Sequence, residues 1–321
     1  MKYRNLGSTG IKVSEIGFGT WGLGGNSYGL VDDRVSQEAL RLALDLGITF
    51  YDTSDLYGNG HSEEILGRVF GDCRGEVVIA SKVGTLPHTG FEMPQDFSAQ
   101  HIRAGVDTSL RRLSTEYIDL YQLHSPPMEL SNWDEVISTM ESLRQEGKIR
   151  AWGVSARSPS DAKVVIEQYR CKVIQVNFNL IDQRAADSGL LDLCRRNDVG
   201  VIVRTPLCFG FLSGRLTGSE DFKVGDHRAN WPRAQLRRWA EAPRLFQPLI
   251  EGKQKTLSQL ALQFCLSESA VSTVIPGMLT PGEVRDNTAA SALRPLAETE
   301  LSKIRKIYDR NLFYVGRSAP A

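Results

Sequence analysis

The chain has 321 residues, and its 38 lysines and arginines balance 38 aspartates and glutamates, so the formal net charge is zero. This balance argues against a nucleic-acid-binding protein, which needs an excess of basic side chains. No apolar run is long enough to cross a membrane, and the N-terminal segment lacks the apolar stretch of a signal peptide. We therefore expect a cytoplasmic protein without a nucleic-acid or membrane partner.

Short apolar runs alternate with amphipathic segments along the whole chain. Because these runs are apolar on both faces, they are typical of parallel strands that are covered by helices. The predicted strands are 15–20, 47–52, 77–82, 117–124, 150–155, 172–178, 200–205 and 271–276.

Helical periodicity fills the intervals between the predicted strands. Ala39, Leu42, Ala43 and Leu46 recur at the spacing of one helix face, and Gly47 follows as a stop signal. Similar periods lie within 136–143, 190–194 and 257–264. Eight strand–helix units without a break in composition predict one (β/α)8 barrel domain over residues 1–321 rather than two open sheets.

Three segments interrupt this alternation: the loop 84–97, the segment 208–255 and the tail 311–321. Long loops at the C-terminal ends of strands are where barrel enzymes build their substrate pockets. We expect the two loops at this mouth and the tail folded over the same face. Several aromatic residues are equally compatible with a substrate cleft and with core or loop packing; they are Trp21, Tyr28, Phe209, Trp231, Phe313 and Tyr314.

Gly17, Gly19 and Gly22 match the pattern G-x-G-x-x-G. In a dinucleotide-binding open sheet, this turn follows a strand and opens directly into a helix. Here the segment LGGNSYG intervenes, and the next helix is expected only at about Ser36. The pattern therefore does not indicate an open Rossmann sheet.

The five cysteines and five histidines are scattered along the chain. Neither set shows the spacing of a disulfide framework or of a metal site. We expect reduced thiols and no metal ion.

Four ionisable side chains lie at the ends of the second, third and fourth predicted strands. Asp52 ends one strand and Tyr57 follows it closely, Lys82 ends the next, and His124 ends the third. Successive strand ends are neighbours around the mouth of a closed barrel, so these groups can converge. A tyrosine is a useful acid at neutral pH only when a cation stabilises its phenolate, and Lys82, held by Asp52, can supply that charge. With His124 as a second donor, such a site protonates a carbonyl oxygen while hydride reaches the carbon.

A series of segments carries a further signal by its order and spacing. These are IGFGTWGLGG, FYDTSDLYGNGHSEEILG, VVIASKVG, YIDLYQLHSP, GKIRAWGVS, IQVNFN, PLCFGFLSGRL and VIPGMLTPGEVRDN. Through them, the chain resembles the aldo-keto reductase superfamily over nearly its whole length. The resemblance implies a (β/α)8 barrel that interconverts carbonyl compounds and alcohols with NAD(P)(H). It implies that Tyr57 is the general acid, that Lys82 lowers its pKa, that Asp52 supports Lys82 and that His124 orients the substrate carbonyl.

The resemblance also implies two sets of binding residues at the mouth. Trp21, Tyr57, His124 and Ser125 are expected to contact the substrate. Backbone N–H groups in the loop after the seventh strand are expected to supply most of the phosphate binding. The implied cofactor contacts are Gly19, Thr20, Trp21 and Asp52 near the nicotinamide and ribose, Ser155 and Gln175 at the carboxamide, Arg204, the pyrophosphate-loop residues Pro206, Leu207, Gly210, Leu212, Ser213 and Arg215, the eighth-strand loop residues Gly277 and Glu283, and Asn287 at the adenine.

Three departures from the family pattern affect the expected pocket. Ala156 follows Ser155 where many members have Asn, so one amide contact is lost. Arg204 replaces a tyrosine that stacks on nicotinamide in many members, and a guanidinium plane can stack in a similar way. Ser125 follows His124 where a tryptophan is common, which leaves a smaller and more polar wall. A polar, sugar-like or biosynthetic substrate is therefore expected.

The fourth departure concerns the choice between the two nicotinamide cofactors. Members that prefer NADP place a basic residue in the loop after the eighth strand, where this chain has Gly277 and, further on, Glu283. A carboxylate repels a 2′-phosphate but accepts a hydrogen bond from a ribose 2′-hydroxyl. Arg285 is the only base nearby. Family habit favours NADP(H), whereas the local chemistry favours NAD(H).

We interpret the chain as an oxidoreductase that acts on a small-molecule carbonyl or alcohol by direct hydride transfer. Two alternatives remain open: a cofactor-binding regulatory or redox-sensing subunit with slow turnover, and an enoyl or keto-sugar reductase of a biosynthetic pathway. The sequence leaves open whether the protein is a monomer or a homo-oligomer.

Overall fold

The computed structural model describes residues 1–25, 27–88, 92–223 and 225–316. Its strands are β1 (Tyr3–Asn5), β2 (Lys12–Ser14), β3 (Phe18–Gly19), β4 (Phe50–Asp52), β5 (Val78–Val83), β6 (Ile118–His124), β7 (Ile149–Ser155), β8 (Val173–Asn177), β9 (Gly200–Arg204) and β10 (Val271–Val274). Its helices are α1 (Asp33–Asp45), α2 (His61–Phe70), α3 (Ala99–Leu113), α4 (Trp133–Gln145), α5 (Pro159–Glu167), α6 (Arg184–Asp187), α7 (Leu190–Arg196), α8 (Arg233–Glu241), α9 (Pro243–Phe246), α10 (Leu257–Ser267), α11 (Pro281–Ala289) and α12 (Glu298–Arg310).

Strands β3 to β10 form one parallel ladder in chain order. Two parallel bridges, Ile16 with Val274 and Gly19 with Gly277, join the last strand to the first and close the barrel. Each of the eight predicted strands overlaps one strand of this ladder, so the predicted (β/α)8 barrel is confirmed.

Helix boundaries follow local capping chemistry. Helix α1 begins at Asp33, before the predicted Ser36, because the Asp32 side chain accepts a hydrogen bond from the Arg34 N–H and caps the helix. It ends where predicted, since Gly47 adopts φ 87°, a conformation that favours glycine. Among the described residues, no helix is long and apolar enough to cross a membrane.

An N-terminal hairpin that was not predicted, β1 paired antiparallel with β2, closes the floor of the barrel. Its residues Leu6, Ile11 and Val13 belong to the apolar cluster that fills the barrel interior together with inward-facing residues such as Phe50 and Leu120. A larger apolar cluster lies between the sheet and the helices. Because the floor is apolar and closed, the polar groups of the interior are concentrated at the mouth.

The long segments lie largely as expected. Residues 92–97 of the first loop return to β5, where the Asp96 N–H donates to the Gly84 carbonyl. The tail packs on α8, whose Gln235 side chain donates to the Phe313 carbonyl at 2.8 Å and accepts from the Val315 N–H at 2.7 Å. Parts of these segments, residues 89–91 and 317–321, lie outside the described residues.

Candidate active site

A buried ion pair joins the ends of β4 and β5. Lys82 Nζ donates to Asp52 Oδ1 at 2.5 Å and to the Thr53 carbonyl at 2.7 Å. The side chains are only 0% and 2% exposed, so the ammonium group is held almost without water. Burial opposes the charged lysine, but Asp52 and Tyr57 outweigh it and the pKa of Lys82 is raised. Lys82 is therefore a fixed cation at neutral pH.

The other oxygen of Asp52 is bound from two strands. Gln122 on β6 and Gln175 on β8 donate to Asp52 Oδ2 at 3.1 and 2.7 Å. Sequence reasoning did not select Gln122, although the two-residue period of β6 places it on the same inner face as His124. With these donors, the buried carboxylate has its hydrogen-bonding capacity satisfied, which a buried charge requires.

Tyr57 stands on a 3₁₀ turn, Tyr57–Gly60, directly after β4. Gly58 has φ 63°, and a Cβ atom there would lie 2.3 Å from the Gly24 carbonyl oxygen, so glycine is required. The turn brings the Tyr57 hydroxyl to 3.1 Å from Lys82 Nζ. Burial raises the pKa of Tyr57 above its ordinary value, and the adjacent Lys82 charge acts in the opposite direction. The hydroxyl is thus protonated at neutral pH and lies beside a cation that favours its phenolate.

His124 ends β6 with its ring perpendicular to that of Tyr57, at a centroid distance of 6.2 Å. Burial, with the Lys82 and Arg204 charges, holds the pKa of His124 well below its ordinary value. The imidazole is therefore neutral. Its Nδ1 lies 3.3 Å from the Ser54 hydroxyl. The structure thus brings Asp52, Tyr57, Lys82 and His124 together at the barrel mouth.

Ser125 is fixed mainly through its backbone. It adopts φ 58°, and its carbonyl accepts hydrogen bonds from Gln95 Nε2 and Arg157 Nε, both at 2.8 Å. The side chain is buried beside His124. Gln95, in the described part of the loop 84–97, thus lies against this corner of the mouth.

The first-strand segment has clear packing functions. A Cβ atom at Gly19 would lie 2.8 Å from the Ile275 carbonyl oxygen, so the closing bridge of the barrel requires glycine there. The Thr20 hydroxyl donates to the Asp52 carbonyl at 2.9 Å. Trp21 lies near Tyr57, with ring centroids 6.4 Å apart. These residues position the ends of β3 and β4 relative to each other.

Ser155 and Gln175 lie side by side on β7 and β8. The Ser155 hydroxyl donates to Gln175 Oε1 at 3.4 Å. Since Gln175 Nε2 is bound to Asp52, the pair is linked to the ion pair of the site.

Arg204 ends β9, and its positive charge acts on His124. Its Nη2 donates to the Ala156 carbonyl at 3.0 Å, whereas its Nε is buried without a hydrogen-bond partner among the described residues. Burial lowers its pKa. A half-buried guanidinium whose buried Nε donor is unused fits a polar, planar ligand group at this position, as a nicotinamide would supply.

The pyrophosphate-loop residues follow β9 in a series of left-handed turns. Thr205, Cys208 and Phe209 have φ values of 53°, 45° and 57°. The N–H groups of 210–214 donate to carbonyls within the same loop. The expectation that N–H groups of this loop supply most of the phosphate binding therefore finds those donors occupied. Pro206 and Leu212 are buried, Leu207 and Ser213 are half-buried, Gly210 adopts φ 91°, and Arg215 is exposed.

The loop after β10 leads into α11 through a capping box. The Glu283 carboxylate accepts hydrogen bonds from the N–H groups of Leu279 and Thr280 at 2.8 and 3.2 Å. Glu283 thus has a structural function that the sequence analysis did not anticipate. Asn287 is buried on the same helix. Gly277 pairs with Gly19 in one of the two bridges that close the barrel.

An aromatic cluster, Trp21, Tyr28, Phe209 and His227, forms a wall beside Tyr57. His227 packs on Trp21 with ring centroids 4.4 Å apart and on Phe209 at 4.7 Å. Its Nε2 is buried and has no hydrogen-bond partner in the described structure. Sequence reasoning did not select His227, because no local pattern distinguishes it within the long segment. Of the other aromatic candidates, Tyr314 packs on the buried Trp239, and Phe313 is buried under α8.

Comparison with known proteins identifies the family. The model of the aldo/keto reductase family matches residues 15–309. The chain belongs to the aldo/keto reductase family. It is an oxidoreductase of this family, whose members use nicotinamide cofactors, and the predicted family is confirmed.

Relatives of this aldo/keto reductase span nearly its full length. It is 31% identical to the uncharacterized oxidoreductase YqkF of Bacillus subtilis over 99% of this chain and 100% of the relative. It is 31% identical to the NADH-specific methylglyoxal reductase of Escherichia coli over 96% and 98%. The structure of aldo-keto reductase AKR11C1 from Bacillus halodurans (holo form) superimposes with a TM-score of 0.79 and 32% identity, covering 99% of both chains.

Proposed function

We propose that this aldo/keto reductase interconverts a carbonyl compound and its alcohol by direct hydride transfer, with Tyr57 as the general acid. One observation carries the proposal: Lys82 Nζ lies 3.1 Å from the Tyr57 hydroxyl while its charge is held by Asp52 at 2.5 Å. A fixed cation stabilises the phenolate that forms when the hydroxyl gives up its proton.

The residues Asp52, Tyr57, Lys82 and His124 have separate tasks in this reaction. Tyr57 donates its proton to the carbonyl oxygen during reduction and recovers it from the alcohol in the reverse direction. Lys82 keeps its position because Asp52 and the Thr53 carbonyl hold the ammonium group. His124, being neutral, offers one ring nitrogen to the substrate oxygen and directs that oxygen towards Tyr57.

A nicotinamide cofactor supplies or accepts the hydride when it is bound. Ser155 and Gln175 present hydroxyl and amide groups for its carboxamide, and Arg204 presents a guanidinium plane with an unused donor. Arg215 offers an exposed positive charge for the pyrophosphate, and Asn287 is the residue proposed for the adenine.

Family habit favours NADP(H) as the cofactor, and we retain it in the proposal. One observation supports NAD(H) as the alternative: the Glu283 carboxylate is fixed on the loop after β10 by the N–H groups of Leu279 and Thr280. Arg285, the nearby base, is exposed. The ratio of kcat/KM for NADPH and NADH decides between the two cofactors. A preference of about tenfold or more for NADH would overturn the proposal of NADP(H).

The substrate is proposed to be a small polar carbonyl compound or sugar. Ser125 lies beside His124 in place of a large aromatic side chain, and the wall opposite combines the aromatic faces of Trp21 and Tyr28 with the imidazole of His227. Flat aromatic faces beside polar groups suit a hydroxylated carbon skeleton.

The experiment is NAD(P)H consumption with a panel of aldehydes, ketones and sugars, compared between the native enzyme and Tyr57→Phe. The variant should lose about 10²–10⁴-fold in kcat while cofactor binding, followed by fluorescence titration, changes little. A variant that keeps more than about a tenth of kcat excludes Tyr57 as the acid. Tight cofactor binding without turnover on any panel member would instead support a regulatory subunit.

A further inference from the structure

The hydroxyl of Ser54 lies between a catalytic imidazole and a carboxyl group that the proposed reaction does not use. Ser54 Oγ is 3.3 Å from His124 Nδ1 and 3.0 Å from Asp55 Oδ1. It also accepts a hydrogen bond from the Leu56 N–H at 3.1 Å. Ser54 is fully buried, so these three groups account for its surroundings without bulk water.

The hydrogen bonds that link Asp55, Ser54 and His124 allow two arrangements of their protons. A serine hydroxyl has one proton and two lone pairs, and Leu56 occupies one lone pair. When Asp55 is ionised, the Ser54 proton points to Asp55, and Ser54 accepts from a proton on His124 Nδ1. When Asp55 is protonated, it donates to Ser54, and the Ser54 proton points to His124 Nδ1. The proton of the neutral imidazole then resides on Nε2.

We propose that Asp55, acting through Ser54, sets the tautomer of His124 and thereby decides whether His124 Nε2 donates or accepts a hydrogen bond at the substrate oxygen. Protonated Asp55 makes Nε2 a donor, which suits a carbonyl oxygen. Ionised Asp55 makes Nε2 an acceptor, which suits the hydroxyl of an alcohol. Asp55 and Ser54 are thus positioning residues that make the efficiency of each direction depend on the protonation of Asp55.

The two arrangements differ by one proton, and the chain of hydrogen bonds can carry it. A proton that reaches His124 Nε2 releases the Nδ1 proton to Ser54, and the original Ser54 proton passes to Asp55. The imidazole remains neutral before and after the transfer. Loss of a proton from Nε2 reverses each step, so the proton is conserved between the mouth of the barrel and Asp55.

The surroundings of Asp55 keep it titratable near neutral pH. Burial, followed by the negative charge of Glu63 on α2, raises the pKa of Asp55 to about 7, against the opposing effects of Ser54, the Leu56 N–H and Arg112 on α3. Tyr121 on β6 also faces the carboxyl group, and its pKa is raised well above its ordinary value, so it stays neutral.

The charges that face His124 explain why its tautomer changes rather than its charge. Lys82 on β5, Arg204 on β9 and His88 in the loop after β5 all oppose a second proton on the buried ring. The pKa of His124 is held well below its ordinary value, so the added proton is stored on Asp55.

The test follows the His124 tautomer directly, by ¹⁵N NMR of protein labelled at histidine nitrogens, with His124→Gln to assign its signals. In the native enzyme, the protonated nitrogen should change from Nε2 to Nδ1 as the pH rises through about 7. Asp55→Asn and Ser54→Ala should each abolish this change, whereas Ser54→Thr, which keeps the hydroxyl, should retain it. Asp134→Asn, which removes an exposed carboxylate on α4, is the control and should leave it intact.

A tautomer that stays constant from about pH 5.5 to pH 8.5 in the native enzyme would overturn the proposal, as would the same change in Asp55→Asn. Glu63→Gln provides a graded second test, because removal of its negative charge should move the midpoint to lower pH. A midpoint that does not move, or that rises, would contradict the role given to Glu63 in keeping Asp55 protonated.

The kinetic consequence rests on the proposed function, because it requires His124 Nε2 to face the substrate oxygen. Between about pH 6 and pH 8, kcat/KM for carbonyl reduction should fall roughly tenfold, the change in protonated fraction of a group with a pKa of about 7. Asp55→Asn should flatten this limb to less than about twofold. If the NMR change is present but kcat/KM does not change with pH, the proposed role of His124 fails. If the NMR change is absent, the tautomer proposal fails alone.

Discussion

The two sides of the barrel mouth are built in different ways. At the ends of β4, β5 and β6, buried side chains bind one another directly, as in the contacts of Lys82 with Asp52 and Tyr57. In the loops after β9 and β10, the backbone adopts left-handed turns such as those at Thr205 and Cys208, and the nearby charged groups are exposed or bound to backbone.

This difference separates chemistry from cofactor selection. Groups that are anchored on strands and satisfied by neighbours have little freedom, as proton transfer requires. Groups on loops can change with little effect on the fold. Substitutions on the first side should therefore alter turnover and stability together, whereas those on the second side should alter cofactor binding alone.

The largest effect is expected for Lys82→Met. Loss of the cation should reduce kcat by about 10²–10⁴-fold. It should also destabilise the protein by about 3–5 kcal/mol, because the Asp52 charge stays buried without its partner. Denaturant unfolding of the double variant Lys82→Met/Asp52→Asn should recover part of this stability but none of the activity. A double variant less stable than Lys82→Met would show that the unpaired Asp52 charge is not the cause of the lost stability.

The next largest effect is expected for Asp55→Asn, which should change how the free energy of unfolding depends on pH. The folded pKa of Asp55, about 7, lies above its unfolded value of 3.8, so the folded state holds the proton more tightly. The stabilisation is complete below about pH 4 and is lost as the pH rises through 7. The native enzyme should therefore lose about 2 kcal/mol over this range relative to Asp55→Asn, since water still reaches part of the carboxyl group. Parallel curves of unfolding free energy against pH for the two proteins would contradict this prediction.

On the cofactor side, Arg215→Ala should raise the cofactor KM by about tenfold, the effect of losing one charge-assisted contact with a phosphate group. Because Arg215 is exposed, the substitution should change the free energy of unfolding of the protein by less than about 0.5 kcal/mol. Arg196→Ala, which removes an exposed arginine from α7, is the matched control and should leave KM unchanged. A large loss of stability in Arg215→Ala would break the distinction between the two sides.

The smallest effect is expected for Glu283→Gln. The amide oxygen can still accept from Leu279 and Thr280, so the helix cap should persist. Without the negative charge, the KM for NADPH should fall a few-fold while that for NADH stays nearly constant. Equal changes for both cofactors would show that Glu283 does not influence the choice between them.

Sequence reasoning located residues correctly where their position at the mouth follows from their place on a strand. Asp52 and His124 end their apolar strands and Lys82 is the penultimate residue of its strand, and strand ends of a barrel must meet at the mouth. Gln122 could have been selected by the same two-residue period. The conformation at Thr205 could not, because left-handed backbone at a β-branched residue is imposed by the surrounding fold rather than by local preference.

Long-range packing was the other limit. His227 contacts Trp21 only because the segment after β9 returns across the mouth, and no local sequence pattern predicts that contact. The N-terminal hairpin was missed because its strands are three residues each, too short to show a period. The capping function of Glu283, by contrast, was readable from the spacing of Thr280 and Glu283 and was overlooked.

That hairpin has a consequence for the order in which the molecule assembles. Arg4 donates to the carbonyls of Val271 and Leu266, and the Lys2 N–H donates to the Ser291 hydroxyl. These residues therefore find their partners only after the chain has been synthesised as far as Ser291. Contacts of such high sequence separation form late and slowly. The hairpin can therefore close the floor of the barrel only after the C-terminal third of the chain has folded.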